Sequence, residues 1–158
     1  ELLTTFTPEI ERLGVSNGMD FDTTLEQMTK LYDGYHFYPH CEGVFNPFSV
    51  LNACKSKILD NFWFQTGTPT YLVNLLKESD YDLRLLIGGV EVTASAFFEY
   101  RAEVKNPLPM IYQSGYLTIK DYDRDVLLYT LGFPNDEVRY GFLNFLVPYY
   151  TEVTDDET

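Results

Sequence analysis

Apolar positions recur at helical spacing in several windows of the chain and at strand spacing in one. Behind Thr7-Pro8-Glu9, a helix start, Ile10 and Leu13 fall three apart, and Gly14 is the expected stop. Ser16-Asn17-Gly18 reads as a turn. Thr23 and Glu26 have capping-box spacing, and Leu25, Met28 and Tyr32 share a face of the helix behind them. Asp33-Gly34 ends that helix, and an aromatic-rich loop, YHFYPHCEGVF, follows. Asn46-Pro47 opens another helix by cap-then-proline logic, with Phe48, Leu51 and Cys54 predicted inward. Phe62-Trp63-Phe64 is short and apolar, compatible with a strand or a helix end.

In NFWFQTGTPTYLVNLL, residues 61–76, Thr68 is the expected N-cap and Pro69 the first helical residue. Leu72, Leu75 and Leu76 then form one face of a helix running to about Ser79. A glycine turn opening a helix raises the question of phosphate, but a phosphate loop also needs a second Gly and a Lys. Neither is present, and a capped core helix is the expectation. Residues 80–105 are ambiguous, with a short strand around Gly88-Gly89 and a short helix over 94–100. A helix is predicted over 107–114.

The clearest alternation lies at 116–132, where Tyr116-Leu117-Thr118-Ile119 and a return over 126–131 flank a turn at 121–125. Asn135 caps a long final helix carrying Val138, Phe142, Phe145, Leu146 and Tyr149 on one stripe. The expected fold class is α+β, mainly α: a small helical bundle followed by a winged-helix-like unit with one β-hairpin.

Composition narrows the function classes. The chain has 158 residues, 45% apolar and 16% aromatic, which supplies a core without disulfides. Its formal charge of −13 opposes affinity for nucleic acid or anionic membrane. Two cysteines, Cys41 and Cys54, make no disulfide framework and suit reduced thiols in the cytoplasm. No signal peptide or membrane-spanning run is read. The opening ELLTTF reads as part of an element already under way, so a longer parent protein is expected.

LYDGYHF, VFNPFSVLNA, FWFQTGTPTYLVNLL, YQSGYLTIKDYD and YTLGFPNDEVRYGF follow one another in this order. In this the chain resembles, over about residues 1–150, a bacterial AAA-ATPase-like family whose members commonly carry a PD-(D/E)XK nuclease-like domain further on. The resemblance implies that the Walker motifs lie N-terminal to this region and the nuclease-like domain C-terminal to it. It divides the chain into a helical lid-like segment (1–66), a winged-helix-like segment (67–150) and an acidic tail or linker (151–158). It implies a segment without catalysis of its own and without a cofactor; that no metal is expected follows from the composition and the spacing of the His and Cys residues. ATP and Mg are implied for the parent protein. The implied partners are the parent's ATPase core and downstream domain, with no membrane partner.

Four constellations bear on chemistry. Glu103-Val104-Lys105 has the E-x-K spacing of a metal nuclease but lacks the preceding Asp, and a solvated charge pair is the plainer reading. His36, His40, Cys41 and Cys54 are zinc-ligand types at a spacing that matches no standard site. A DNA-reading wing needs cations, yet residues 106–119 carry no charge and 120–125 hold one Lys, one Arg and three Asp. Direct nucleic-acid binding is therefore not expected, and Met110, Ile111 and Leu117 are expected to be buried. The fourth is the turn Tyr32, Asp33, Gly34, Tyr35 and His36, which the resemblance places near the nucleotide in the complete protein, with Tyr35 or His36 available to stack on adenine. The plainer reading is an aromatic loop packed on the bundle. Two alternatives stand beside the nucleotide-covering role: a protein-interaction module without nucleotide, and a metal-dependent nuclease built on Glu103 and Lys105.

Overall fold

A computed structural model describes residues 2–63, 70–79, 81–98 and 106–146. The fold is α+β, mainly α, with helices throughout and one three-stranded antiparallel sheet among the described residues. Helices α1 (Leu2–Thr5), α2 (Thr7–Ser16), α3 (Phe21–Tyr32) and α4 (Pro47–Ser56) come first. Ile10, Leu13, Met28, Tyr32, Val50, Ala53 and Phe62 make one apolar core among them.

Three local expectations are corrected here. Gly14 does not stop α2, which continues to Ser16; the break falls at Gly18, where φ is +68°. Gly14 is instead a packing residue, because a Cβ there would come within 2.8 Å of the Met19 carbonyl oxygen and collide with Thr24 as well. Helix α3 begins before Thr23. Asp20 caps it, its carboxylate accepting the Thr23 N–H at 2.7 Å, and a charged acceptor outcompetes the Thr23 hydroxyl for this place. The inward face carries Thr24, Met28 and Tyr32, while Leu25 is half-buried.

The third correction concerns α4. Asn46 caps it as expected, accepting from Phe48 N–H at 3.1 Å and Ser49 N–H at 3.4 Å. The buried face, however, is Ser49, Val50 and Ala53, and Phe48 and Leu51 stand 44% and 46% exposed. The Ser49 hydroxyl donates to Glu137 at 2.7 Å, and this buried bond fixes the face the helix turns inward.

The second half runs α5 (Thr70–Glu78), a 3-10 helix (Leu83–Gly88), β1 (Val90–Thr93), α6 (Ala94–Phe98), α7 (Leu108–Gln113), β2 (Thr118–Asp123), β3 (Leu128–Gly132) and α8 (Asp136–Gly141). A π-helical turn (Phe142–Leu146) continues α8. Among the described residues this half thus sets short helices around one strand and a hairpin. The sheet exceeds the expected hairpin: β1 pairs with β3 from Val90↔Leu131 to Thr93↔Leu128, giving the order β1-β3-β2. Gly89, at φ +84°, lets the chain pass from the 3-10 helix into β1.

A larger core gathers around Leu72, Leu86, Ile111, Leu131, Val138 and Phe142. The uncharged stretch behaves as expected at Ile111 and Leu117, which are buried, and Met110 is half-buried. Gly115 closes α7 at φ +81°. The hairpin tip lies at 124–127, later than expected, because the ladder continues through Asp123↔Leu128. The ladder shifts register between Ile119 and Asp121, leaving Lys120 as the bulge residue. Asn135 caps α8 by accepting the Val138 N–H at 3.0 Å. The Thr68 cap, Phe64, Glu103, Lys105, Tyr149 and the acidic tail lie outside the described residues, as do the side chains of Phe145 and Leu146.

Candidate functional site

The turn singled out in the sequence lies where the two cores meet. Tyr32, the last residue of α3, is fully buried; its hydroxyl donates to the Asp60 carbonyl at 2.8 Å and accepts the Asp60 N–H at 3.1 Å. Burial pushes its phenol well above the ordinary range. Asp33 caps the C-terminus of α3, and its carbonyl accepts from the Asn135 amide at 2.9 Å. Gly34, at φ +95°, presses on the Pro134 carbonyl so closely that a Cβ would overlap it.

Tyr35 exchanges two backbone hydrogen bonds with Val44, pinching the aromatic loop at its base. Burial pushes its hydroxyl up, and the Glu137 carboxylate adds to this. The His36 N–H donates to the Thr118 hydroxyl at 2.7 Å, and that hydroxyl donates to the His36 carbonyl at 3.0 Å. The turn is therefore joined to β2 through Thr118 and to the start of α8 through Asn135. Tyr35 and His36 are half-buried, whereas Phe37 and Tyr38 are the open rings of this loop, 72% and 66% exposed.

The group at this junction that sequence reasoning missed is Glu137. It is fully buried on α8 and accepts from Ser49 Oγ at 2.7 Å, Phe62 N–H at 2.9 Å and Trp63 N–H at 3.4 Å. Burial raises its carboxyl above the usual range, and the three hydrogen bonds oppose that rise. In the sequence an acid in the first turn of a helix reads as a partner for the helix dipole, which gives no sign of burial.

Beside Asp33 and Gly34 opens a cleft of about 350 Å³ between the end of α3, the bulge of β2 and the first turns of α8. Lys30, Lys120 and Arg139 stand on its walls with Asp33 and Asp136. Lys30 pairs with Asp136 at 3.6 Å. The Lys120 stem lies over Gly132, and partial burial lowers the affinity of its amine for a proton. Asp33 Oδ1 is shielded from water and has no hydrogen-bond partner among the described residues.

The zinc-ligand types do not converge. The His36 ring nitrogen Nδ1 is 2.8 Å from the Cys41 carbonyl oxygen and 3.8 Å from its sulfur. Cys54 sits on α4 in the other core, its thiol pushed up by burial. Among the described residues no three His, Cys, Asp or Glu side chains are grouped to hold a metal ion. No helix among them is long and apolar enough to cross a membrane.

No protein-family model matches the chain, and no solved structure matches it. The chain is similar to a protein of Azotobacter chroococcum mcd 1 described as an uncharacterized protein in the vnfD 5' region, at 32% identity over 136 residues. The match covers 85% of this chain and 24% of that protein, so the chain spans about a quarter of the relative's length.

Proposed function

We propose that this chain is the non-catalytic segment of an AAA-ATPase-like protein, covering the nucleotide and coupling an ATPase core to a downstream nuclease-like domain. The ATP and Mg belong to that core, and the setting is cytoplasmic. The observation that carries the reading is the bonding of the 32–36 turn. Asp33 is tied to Asn135 and His36 to Thr118, so a displacement of the turn at a nucleotide is passed to α8 and to the sheet together. The greater length of the Azotobacter relative agrees with a role as part of a larger protein.

The test is nucleotide hydrolysis by a longer protein carrying this segment, with Thr118→Val and Asn135→Ala compared with wild type. Changed turnover with the fold intact is the expected result. Turnover unaltered in both variants overturns the coupling role, and micromolar Mg-ATP binding by the isolated chain overturns its dependence on a separate core.

A second reading, an interaction module without nucleotide, draws on a different surface. Phe37, Tyr38, Pro39, Phe97, Pro109 and Tyr112 line an uncharged groove of about 370 Å³ on the other side of the same loop. Retained partner binding in a longer protein whose ATPase is disabled favours that reading. The nuclease alternative rests on Glu103 and Lys105, outside the described residues.

A further inference from the structure

The cleft between α3, β2 and α8 combines features that a purely structural junction does not need. The chain carries 11 basic residues against 24 acidic ones, yet three of the basic residues face this one depression. Lys30 is neutralised by Asp136. Among the described residues neither Lys120 nor Arg139 has an ion-pair partner; Arg139 only overlies the Tyr140 ring at 5.7 Å. Lys120 is placed by a β-bulge, a device that re-aims a side chain at some cost in ladder regularity. Its path over Gly132 is open because position 132 has no side chain; a Cβ there would come within 3.1 Å of Lys120 Cγ. Bulge and glycine together carry the amine to the cleft.

The same wall holds the complementary need. Asp33 has a carboxylate oxygen with no donor among the described residues. A carboxylate turns easily about its last torsion, so a hydroxyl entering the cleft can give it the bond it lacks. Two unpaired cations and one carboxylate oxygen without a donor match a dianion that also carries hydroxyl donors. A volume of about 350 Å³ lies at the small end of ligand sites, below the scale of a dinucleotide.

We infer that this cleft binds a phosphate monoester of a polyhydroxy compound, with the phosphate on Lys120 and Arg139 and a hydroxyl on Asp33. The chemistry is that of a sugar phosphate, free or as the ribose-phosphate part of a nucleotide. The inference rests on the nucleotide-covering reading only for the second of these sources.

The test is an amide-NMR titration of the full 158-residue chain with ribose 5-phosphate, inorganic phosphate, ribose and ATP. Ribose 5-phosphate is expected to shift resonances of residues 30, 33–34, 120 and 135–139, and to bind more tightly than phosphate or ribose alone. Lys120→Met and Arg139→Met should each weaken it at least about tenfold, the value of one charge-assisted contact. Asp33→Asn should remove the advantage over inorganic phosphate. Equal binding of ribose 5-phosphate and inorganic phosphate overturns the hydroxyl contact. Full affinity in Lys120→Met, or shifts confined elsewhere, overturns the site. Ribose 5-phosphate binding without ATP competition keeps the site and counts against a nucleotide there. No binding of any probe defeats the site while leaving the coupling role to the hydrolysis assay.

Discussion

The turn at Asp33-Gly34 and the hairpin tip at 124–127 each hold one aspartate, and both pass through positive φ, at Gly34 (+95°) and Leu127 (+55°). The tip's side-chain bonds are local: Asp123 accepts the N–H groups of Asp125 and Val126, Val126 and Leu127 are more than half exposed, and the Leu127 carbonyl accepts the Ala94 N–H at 3.1 Å. The first turn reaches across the molecule. It is bonded to Asn135, 102 residues away, and to Thr118, 82 residues away, and its glycine fits against Pro134. Similar local chemistry thus produces one turn whose side chains bond near neighbours and one that joins two cores.

Substitutions can break this contrast. Gly34→Ala should have the largest effect, about 4 kcal/mol in urea unfolding, because left-handed strain and a backbone collision act together. A loss below about 1 kcal/mol would show that the junction yields there. Glu137→Leu, which deprives one hydroxyl and two N–H donors of their acceptor, should cost about 3 kcal/mol.

Glu137 also gives a pH signature. Burial raises its carboxyl in the fold above the unfolded value, so folding takes up a proton in the carboxylate range. The resulting stabilisation is largest in acid and disappears as pH rises from the unfolded pKa through the folded one. Measured across that range, wild-type stability minus that of Glu137→Gln should fall with increasing pH; a rising difference would contradict buried-carboxylate desolvation.

Asn135→Ala loses a helix cap and the bond to Asp33, and should cost about 1.5 kcal/mol by thermal or urea denaturation. Leu127→Asn sharpens the contrast from the other side. It should leave stability within about 0.5 kcal/mol of wild type or raise it, since Asn tolerates the left-handed region better. A clear loss there would mean that the half-exposed Leu127 side chain, and not only the backbone, supports the tip.

What could be read from the sequence follows the range of the forces concerned. Asn46, Asn135 and the Asp33-Gly34 stop act within a few residues, and each appears where its local chemistry places it. The β2–β3 hairpin is likewise a near-neighbour pattern. The short strand expected around Gly88-Gly89 forms just beyond it, at Val90–Thr93, behind a 3-10 helix, and its pairing with β3 about forty positions onward has no local signal. The inward face of α4 depends on Ser49 meeting Glu137, 88 residues away, so local apolar spacing favoured Phe48 and Leu51 instead. At the junction, the turn residues were visible as a motif. Of their partners, Thr118 and Glu137 carry no local mark, and the cap signal at Asn135 gives no sign of its bond to Asp33, because what distinguishes all three here is a distant contact.

The buried carboxylate on α8 has a consequence for how the chain is made. Ser49 and the Phe62 and Trp63 amides leave the ribosome well before the residue that will accept their hydrogen bonds, with 75 residues separating Phe62 from Glu137. At ordinary synthesis rates that interval lasts roughly 4–15 s. During it the first helices can collapse on Ile10, Leu13 and Met28, while these donors remain satisfied by water. The arrival of Glu137 exchanges that water for a protein acceptor. Helix α8 thus completes the hydrogen bonding beside the first core while its Val138 packs in the second.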